Sequence, residues 1–475
     1  MNKRDFLKFA GMSSLTALSA GGVSVGCSRA THVESKFPET LKLASRTRKQ
    51  EFNMTGFAAP RIDKIRIAYI GLGNRGTGAI RRIVNIANTE VVAVADIRED
   101  NAVSAQKFLE SKGHSPEVYF GTEDSWKKAV EREDVDLVYI CTPWALHAPM
   151  SIYAMEHGKH AASEIPAARS LSECWQLVET SERTRKHCIM LENVCYGFFE
   201  LLTLNMAQQG FFGEVVHVEG AYIHDLYDSI FNKSSRHELW RLKENQRNAN
   251  LYPMHGLGPV SQILGINRGD QYDYLTSMAS NDFMVGKRAK ELAKTDSDFK
   301  QYENATFRGN MSTTSIRTKK GKTIMLQHDI TSPRPYSRIH LVSGTDGCAI
   351  QYPEPARIAK GHEFLKEEEY KALEKQFEPP IVRRIGELAK KVGGHGGMDF
   401  MMDWRIIDCL RNGLPMDMDV YDAAAWSSII PLSEWSIANR SSPIDIPDFT
   451  DGHWQENKPV DMSISRGGNT EIILK

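Results

Sequence analysis

The chain has 475 residues and a formal net charge of −1, from 59 basic and 60 acidic side chains. Because basic residues are not in excess, we expect no surface for nucleic acid or for an anionic membrane. A chain of this length is typical of two globular domains. Its seven cysteines include no Cys-x-x-Cys pair, so we expect buried free thiols and neither a disulfide framework nor a metal site.

The first 27 residues resemble a twin-arginine export signal in which Lys3 replaces the first arginine. A weakly apolar stretch of small residues follows and ends at Cys27, and it is too poor in large apolar side chains to span a membrane. Cys27 is a candidate for a lipid anchor, but Ser24 stands where such sites usually carry leucine, so lipidation stays open. Residues 28–63 are polar and aperiodic and are predicted to form a linker. We therefore expect an exported bacterial protein, periplasmic or lipid-anchored at the cell envelope.

Residues 64–96 follow a strand, turn, helix and strand pattern around a glycine-rich turn. Gly71 permits the tight turn, Gly73 lets the backbone approach a pyrophosphate, and Gly76 lets the helix pack closely on the sheet. The free N–H groups at the start of this helix attract phosphate. Asp96, at the end of the second strand, is placed to accept hydrogen bonds from a ribose. The pattern predicts a dinucleotide-binding site.

The charge of Asp96 favours NAD, because a 2′-phosphate would meet a like charge there. Arg75 and Arg98 lie nearby in the sequence, so NADP stays as the alternative. An exported protein finds little free NAD outside the cytoplasm. The combination therefore favours a reaction that returns its cofactor to the starting state in each turnover.

Short helices and strands alternate from residue 64 to residue 193. This alternation predicts a doubly wound, mostly parallel Rossmann sheet in an NAD-binding domain at 64–193. Further strands are predicted at 118–120, 135–140, 160–164 and 188–193, and further helices at 100–111, 125–133, 148–156 and 171–186.

The pattern changes after residue 193, where long alternating strands follow one another without intervening helices. Residues 194–475 are therefore predicted to form an α+β domain with a large, mostly antiparallel open sheet that binds substrate. Gly321 and Gly344 mark hairpin-like turns, and the charged stretch 360–375 is interpreted as a solvated helix face. The predicted strands are 214–222, 273–279, 305–317, 322–328 and 338–343, and the predicted helices are 197–210, 396–412 and 422–438.

Two groups of side chains are candidates for a site. Trp144, His147 and Glu164 follow predicted parallel strands, at the edge where ligands bind in open α/β sheets. Trp144 is placed to close over a cofactor, and His147 either bonds a ribose or only begins a helix. His255 begins a predicted helix and is followed by Gly256 and Gly258, which would let a sugar approach its ring.

Histidine suits proton transfer near neutral pH, whereas a histidine that only caps its helix remains the alternative. Tyr222 ends a strand, and Arg241 beside Trp240 forms a pair suited to a sugar face and its hydroxyls. Tyr336 lies in a predicted loop. His395 stands among glycines, where it either borders the site or belongs to a tight turn into a helix.

The first domain resembles the glucose-fructose oxidoreductase and inositol dehydrogenase family, through its glycine turn and the motif at 164–166. That family carries Glu-Lys-Pro there, and its lysine is a catalytic acid/base. Ile165 replaces the lysine here, which disfavours an ordinary sugar dehydrogenase. The departure points to one branch, the NAD-dependent α-N-acetylgalactosaminidases of glycoside hydrolase family 109. That resemblance rests on residues 71–76, 144–147, 164–165, 191–193, 222, 240–241, 252–259 and 394–399.

The resemblance implies the residues of both binding sites. Proton transfer is assigned to His255, Tyr252 and Tyr222, and which of them is acid and which is base stays open. The implied contacts to NAD are Gly71, Gly73, Asn74, Arg75, Gly76, Asp96, Trp144, His147, Glu164, Ile165, Asn193 and Tyr252. The implied contacts to the sugar are Tyr222, Arg241, Tyr252, His255 and Tyr336.

The same resemblance implies a glycosidase that releases terminal α-linked N-acetylgalactosamine from glycans. Such enzymes oxidise C3 with NAD, eliminate across C1 and C2, add water and return the hydride. An exported NAD(P)-dependent sugar oxidoreductase of the same superfamily is the alternative function, and a sugar-binding lipoprotein without catalysis is a further one. The aglycone and the oligomeric state, monomer or homo-oligomer, stay open.

Overall fold

The computed structural model describes residues 37–233 and 237–474, and these residues form one compact unit. The predicted export signal and Cys27 lie outside the described residues. Within the described ranges, no helix is both long and apolar enough to span a bilayer. The six cysteines of the described part are all free thiols, as expected from their spacing.

The first sheet is parallel throughout and has the strand order β3-β2-β1-β4-β5-β6, which is the order of a Rossmann fold. Its strands are nearly all buried, because helices cover both faces of a parallel sheet. The strands are β1 Ile65–Ile70, β2 Thr89–Ala95, β3 Glu117–Tyr119, β4 Leu137–Ile140, β5 His160–Ser163 and β6 Cys188–Met190. The helices up to this point are α1 Pro38–Ala44, α2 Asn74–Ile83, α3 Glu99–Glu110, α4 Ser125–Glu131, α5 His147–Glu156 and α6 Leu171–Thr184.

The second sheet is large and mostly antiparallel, with the order β14-β13-β12-β11-β7-β10-β9-β8-β15 in the described part of the chain. Only β7 and β10 pair in parallel, and they place His328 beside Tyr222. Hairpins at Gly321 and Gly344 join β9 to β10 and β11 to β12. The strands are β7 Val215–Ile223, β8 Tyr272–Ala279, β9 Ser312–Thr318, β10 Thr323–Asp329, β11 Leu341–Gly344, β12 Cys348–Ile350, β13 Arg357–Lys360, β14 Glu363–Phe364 and β15 Ile444–Asp445.

Helices from the second half of the chain join the two sheets. Helix α14 packs against α2 and β1, whereas α15 packs against both α6 and β8. One continuous buried apolar cluster therefore runs through both parts. These helices are α7 Phe198–Gln208, α8 Tyr227–Ile230, α9 Trp240–Glu244, α10 Met254–Leu264, α11 Val285–Leu292, α12 Glu367–Gln376, α13 Pro380–Val392, α14 Met398–Asn412 and α15 Val420–Ala438.

The strands predicted at 188–193 and 338–343 are each about three residues shorter in the structure at one end, and two other predicted elements differ more. The strand predicted at 305–317 begins only at Ser312, because Arg308 donates its backbone N–H to the Asn245 carbonyl and Gly309 donates to the Asn248 side chain. The stretch 360–375 is not one helix face. It forms the turn between β13 and β14 before α12 begins at Glu367.

The described part of the predicted linker is folded. Helix α1 packs against α6 and α15. Arg48 forms an ion pair with the buried Glu182, and the backbone N–H of Met54 donates to the Tyr421 hydroxyl at 3.1 Å. Residues 37–63 therefore belong to the compact unit and are not a free tether.

Candidate active site

The glycine-rich turn joins β1 to α2. Gly71 has φ +85°, and a Cβ there would lie 2.8 Å from the Cys141 carbonyl carbon. A Cβ on Gly76 would lie 1.9 Å from the carbonyl oxygen of Gly71. Around Gly73, by contrast, no atom of the described chain beyond the adjacent residues lies within 4 Å of the Cβ position. Two glycines thus allow close packing, and the third leaves bare backbone.

Gly73 is the N-cap of α2, and no side chain caps its free N–H groups. At the neighbouring strand end, Asp96 accepts hydrogen bonds from the backbone N–H of Leu72 at 2.6 Å and of Arg98 at 2.9 Å. Bare backbone, an uncapped helix start and a carboxylate at the end of β2 fit a dinucleotide, with phosphates at Gly73 and ribose at Asp96.

A network of charged side chains crosses from the glycine turn to the second half of the chain. The guanidinium of Arg75 bonds Glu164 at 2.8 Å and lies 3.3 Å from Asp399, at the start of α14. Asp399 is 1% exposed and also accepts from Asn193. His395 lies 3.0 Å from the Asp399 carboxylate and 3.4 Å from Arg75. Glu164 and the segment that carries His395 and Asp399 therefore meet at Arg75, and Asn193 joins them through Asp399.

These contacts set the ionisation of the network. Burial alone would lower the pKa of Arg75, but Glu164 and Asp399 outweigh burial and raise it. Burial alone would raise the pKa of Asp399, but the hydrogen bond from His395 and the charges of Arg75 and Arg82 lower it well below the usual range. Arg75 and Asp399 are therefore a permanently charged pair near neutral pH.

Trp144 and His147 follow β4, as predicted, but their side chains have different partners. Trp144 stacks on Tyr252 with ring centroids 5.5 Å apart, which links the cofactor side to the second half of the site. His147 begins α5 and is fully buried. Its ring nitrogens face the carbonyls of Pro166 at 2.7 Å and Thr142 at 2.8 Å, so both are already engaged. Burial lowers the pKa of His147, although these two carbonyls oppose the shift.

Ile165 follows Glu164 at the end of β5 and is 2% exposed. It packs in the continuous apolar cluster. The position therefore offers neither an ammonium group nor any other proton carrier.

Arg241 lies in an aromatic cluster on the other side of Trp144. Its guanidinium carbon is 5.2 Å from the ring centroid of Trp144, 5.4 Å from Trp240 and 5.8 Å from Tyr252. Arg241 is 8% exposed, its Nε has no hydrogen-bond partner, and no ion pair to it is found in the part of the chain that the structure describes. Cation–π contacts thus hold a charge that no carboxylate of that part neutralises.

His255 lies in the first turn of α10 and pairs with a carboxylate. Its Nδ1 is 2.8 Å from Oε1 of Glu192, which is fully buried just beyond β6. The His255 side chain keeps 14% exposure. Its ring makes edge contacts with Tyr222 at 5.2 Å and Tyr252 at 5.0 Å. Three candidate proton carriers therefore share one cluster.

Contact between backbones fixes the position of His255. A Cβ on Gly256 would lie 2.3 Å from the backbone nitrogen of Ala221, and one on Gly220 would lie 2.4 Å from the Gly256 carbonyl oxygen. A Cβ on Gly258 would lie 3.0 Å from both Cys195 and Glu192. The prediction that Gly256 and Gly258 let a sugar approach is therefore wrong, because atoms of the protein occupy the space beside both glycines.

Tyr222 joins this cluster to the loop before β11. Its hydroxyl lies 3.0 Å from Nδ1 of His224, and its ring lies 6.2 Å from that of Tyr336. The Tyr336 hydroxyl accepts from Arg338 at 3.0 Å, which anchors the loop. Burial raises the pKa of Tyr252 well above its usual value, and nearby Tyr222 adds to the effect.

The predicted site residues thus form two adjoining groups joined where Trp144 meets Tyr252. Sequence reasoning missed three members: Glu192, Asp399 and His224. Glu192 directly precedes Asn193 at the end of a parallel strand, which is the same signal that singled out Glu164. Asp399 ends the motif at 394–399, and His224 is two residues from Tyr222.

Two family profiles match consecutive parts of the chain. The profile described as "Oxidoreductase family, NAD-binding Rossmann fold" matches residues 65–192, and the one described as "Glycosyl hydrolase 109, C-terminal domain" matches residues 196–456. "Levoglucosan dehydrogenase, complex with NADH and levoglucosan" shares the fold with a TM-score of 0.59 at 16% identity, over 81% of this chain and all of that one. The apo scyllo-inositol dehydrogenase from Lactobacillus casei gives a TM-score of 0.56 at 13% identity, over 81% of this chain and 99% of that one.

Fold and site together define a protein with an NAD-binding Rossmann domain and a mostly antiparallel second sheet that completes its site. "Glycosyl hydrolase family 109 protein 1" from Bacteroides fragilis is 45% identical, over 94% of this chain and 97% of that protein. "Alpha-N-acetylgalactosaminidase" from the same species is 48% identical, over 85% of this chain and 96% of that protein. The chain belongs to glycosyl hydrolase family 109 and is a glycosidase that binds NAD.

Proposed function

We propose that the protein releases terminal α-linked N-acetylgalactosamine from glycans through a transient ketone at C3. The observation that carries the proposal is the junction at Trp144, where the NAD-binding edge meets the cluster of His255, Tyr222 and Tyr252. The relative named "Alpha-N-acetylgalactosaminidase" supports the choice of sugar. A Rossmann domain beside proton carriers suits a redox-assisted elimination better than direct displacement at C1.

The chain's own residues have distinct tasks in this reaction. The backbone at Gly73 and the carboxylate of Asp96 hold NAD⁺, which supplies a reversible hydride acceptor for C3 of the sugar. Arg241 and the rings around it receive the sugar and orient it. His255, Tyr222 and Tyr252 supply the groups that move protons at C2 and at the leaving oxygen.

Oxidation at C3 would place the hydride on the bound NAD⁺ and the hydroxyl proton on a group of the site other than the base that acts at C2. The resulting ketone acidifies the proton on C2. A base of the cluster removes that proton, the electron pair forms the C1=C2 bond, and the C1–O bond breaks with protonation of the leaving oxygen. Water then adds at C1 while a proton returns to C2, and reduction at C3 restores the alcohol. The net reaction consumes one water and leaves the cofactor in its starting state.

The test uses aryl N-acetyl-α-galactosaminide, with no NAD added to the purified protein. We expect aryl release from this substrate and much less from its β-, gluco- and galacto- counterparts. In deuterium oxide the released sugar should carry deuterium at C2, substrates deuterated at C2 or C3 should react more slowly if those steps limit the rate, and thioglycosides should be cleaved. Full retention of the C2 proton, no isotope effect and inert thioglycosides would together contradict the mechanism.

When NAD is supplied in excess, a sugar oxidoreductase would instead accumulate NADH in proportion to the sugar consumed. The lysine that serves as acid/base in the related sugar dehydrogenases is replaced here by the buried Ile165. Absorbance at 340 nm during many turnovers separates the two functions, because the glycosidase returns to baseline once its substrate is exhausted.

We also propose that the protein is exported and acts in the periplasm or at the cell envelope. The pattern around Lys3 and Arg4 and the small-residue stretch up to Cys27 support this location. Fractionation of cells that express the full chain, compared with the Arg4→Ala variant, tests export. A lipid mass on the N-terminal peptide that is absent from Cys27→Ala tests the anchor.

A further inference from the structure

Glu192 is the one carboxylate of the described chain that bonds the ring of His255. Its Oε1 lies 2.8 Å from His255 Nδ1 and also accepts the backbone N–H of Val194 at 2.9 Å. Glu192 has no exposed surface, and its Oε2 has no partner among the described residues. Burying a carboxylate with so few partners lowers the stability of the fold. Its presence here therefore points to a role for its charge.

This contact decides which nitrogen of His255 faces the cluster. The Val194 N–H can only donate, so the oxygen it bonds remains an acceptor and His255 must donate from Nδ1. Nε2 then carries the free lone pair on the side where the ring keeps its exposure and meets Tyr222 and Tyr252. A neutral imidazole in this tautomer is an acceptor at Nε2, and the carboxylate stabilises the imidazolium that forms when Nε2 takes a proton.

We infer that Glu192 is a positioning residue that makes His255 the base of the elimination, with Nε2 as the atom that takes the C2 proton. The inference rests on the proposed function and assigns a role that the sequence left open among three residues. In the step, the C2–H bond breaks and its proton goes to Nε2. The electron pair forms C1=C2, and the leaving group departs from C1 with the C1–O pair and takes a proton from another group of the cluster.

Two substitutions separate orientation from charge. In Glu192→Gln, the Val194 N–H keeps the amide oxygen beside His255, so the tautomer is preserved and only the charge is lost. We expect aryl release to fall roughly 10- to 100-fold. Glu192→Ala removes both effects, and we expect a fall of roughly two to four orders of magnitude, as for loss of the base itself.

The role of Glu192 can be identified from which step of the reaction is slower in its two variants. On rapid mixing with the aryl glycoside, both variants should still show a rise at 340 nm, because oxidation at C3 does not use this base. Aryl release and deuterium uptake at C2 should slow by the same factor. Glu182→Gln, a fully buried glutamate paired with Arg48, is the matched control and should lower stability without changing aryl release.

A double-mutant cycle completes the test, because a residue that acts through His255 has nothing to act on once His255 is removed. Glu192→Gln in the His255→Ala background should leave the residual rate unchanged. The inference is overturned if the two effects multiply, if Glu192→Gln retains the full rate, or if the 340 nm rise and aryl release fall together. Failure of the proposed function is distinct, since the unaltered protein would then show neither the 340 nm rise nor deuterium at C2.

Discussion

Two arginines at opposite ends of the site, the partly exposed Arg75 and the buried Arg241, differ in how their charge is balanced. Arg75, on the cofactor side, lies between the carboxylates of Glu164 and Asp399. Arg241, on the sugar side, contacts the faces of three aromatic rings and bonds no carboxylate of the described chain. The charge of Arg75 is balanced by carboxylates within the protein, whereas Arg241 keeps an Nε–H that has no partner among the described residues.

The two arginines therefore suit different tasks: Arg75 suits a cofactor that stays bound, and Arg241 suits a ligand that is recognised in each cycle. A guanidinium neutralised by two carboxylates is fixed before any ligand arrives, which suits a cofactor that stays bound. A guanidinium on aromatic faces can still donate to oxygens of a neutral ligand, and the rings offer a flat apolar surface to the same molecule. If Arg241 receives the sugar as proposed, we expect this side of the site to suit a ligand that enters and leaves in each cycle.

The largest effect is expected from His255→Ala, which removes the proposed proton carrier and leaves both arginines in place. Turnover of the aryl glycoside should fall by roughly two to four orders of magnitude. NAD released on denaturation should stay at the wild-type amount. His217→Ala, on the exposed part of β7, is the matched control. Loss of NAD and fold together with activity would assign His255 a purely structural role.

Arg241→Gln tests the sugar side of the comparison directly. Loss of the cation from the aromatic cluster should weaken sugar binding roughly 10- to 100-fold, about 1.4 to 2.8 kcal/mol. The effect should appear in KM, and bound NAD should not change. Arg241→Lys should not restore binding, because an ammonium group lacks the planar fork that lies across three rings. A wild-type KM in either variant would show that Arg241 serves packing alone.

Asp96→Ala tests the cofactor side, where the retention of NAD is expected to change. The purified wild-type protein should carry NAD without any being added, and the variant should retain it roughly tenfold less tightly, with the thermal midpoint little changed. NAD is quantified enzymatically in the supernatant after denaturation. Asp100→Ala, an exposed acid in the first turn of α3, is the control. NADP as the main nucleotide would overturn the choice of cofactor.

The last comparison concerns stability and the ionisation of two acids one turn apart in α14, Asp399 and Asp403. The pKa of Asp399 is lowered in the folded state, so its stabilising contribution is complete above the unfolded value of about 3.9 and is lost as pH falls below it. At neutral pH, Asp399→Asn should cost about 2 kcal/mol in the free energy of unfolding. That difference from the wild type should narrow below about pH 4, as measured by urea unfolding at several pH values.

Asp403 provides the internal contrast for that measurement. Burial raises its pKa in spite of Arg82, so the folded protein binds this proton at a higher pH than the unfolded chain does. Relative to Asp403→Asn, the wild type should therefore gain stability as pH falls toward about 4, the opposite slope. Equal slopes for the two variants would mean that the charges on α14 do not titrate as their contacts imply.

The comparison also explains what could be predicted from the sequence. The glycine turn and Asp96 lie within about 25 residues of one another and follow a spacing that only a few backbones satisfy, so the Rossmann sheet and its ligand edge were predictable. The antiparallel order of the second sheet followed from long strands and from the turns at Gly321 and Gly344. The parallel pairing of β7 with β10 has no local signature in the sequence and could not be predicted.

The pairing of side chains across the chain was not predictable from residue spacing. Glu192 meets His255 across 63 positions, and Asp399 meets Arg75 across 324. The role of Gly256 was also predicted wrongly. A glycine in the sequence indicates that something approaches the backbone closely, but it does not show whether that is a ligand or another part of the protein. Buried carboxylates of this kind become visible only when the fold shows which cation faces them.

The contact between Gly220 and Gly256 limits how this site can be altered. Because the backbones of β7 and α10 touch there, no substitution at either position can adjust the distance between Tyr222 and His255 in small steps; even alanine must push strand and helix apart. Attempts to redesign the enzyme for other sugars should therefore leave this joint untouched. The loop that carries Tyr336 and the short helices α8 and α9 lie outside this joint and are the better places for sequence libraries.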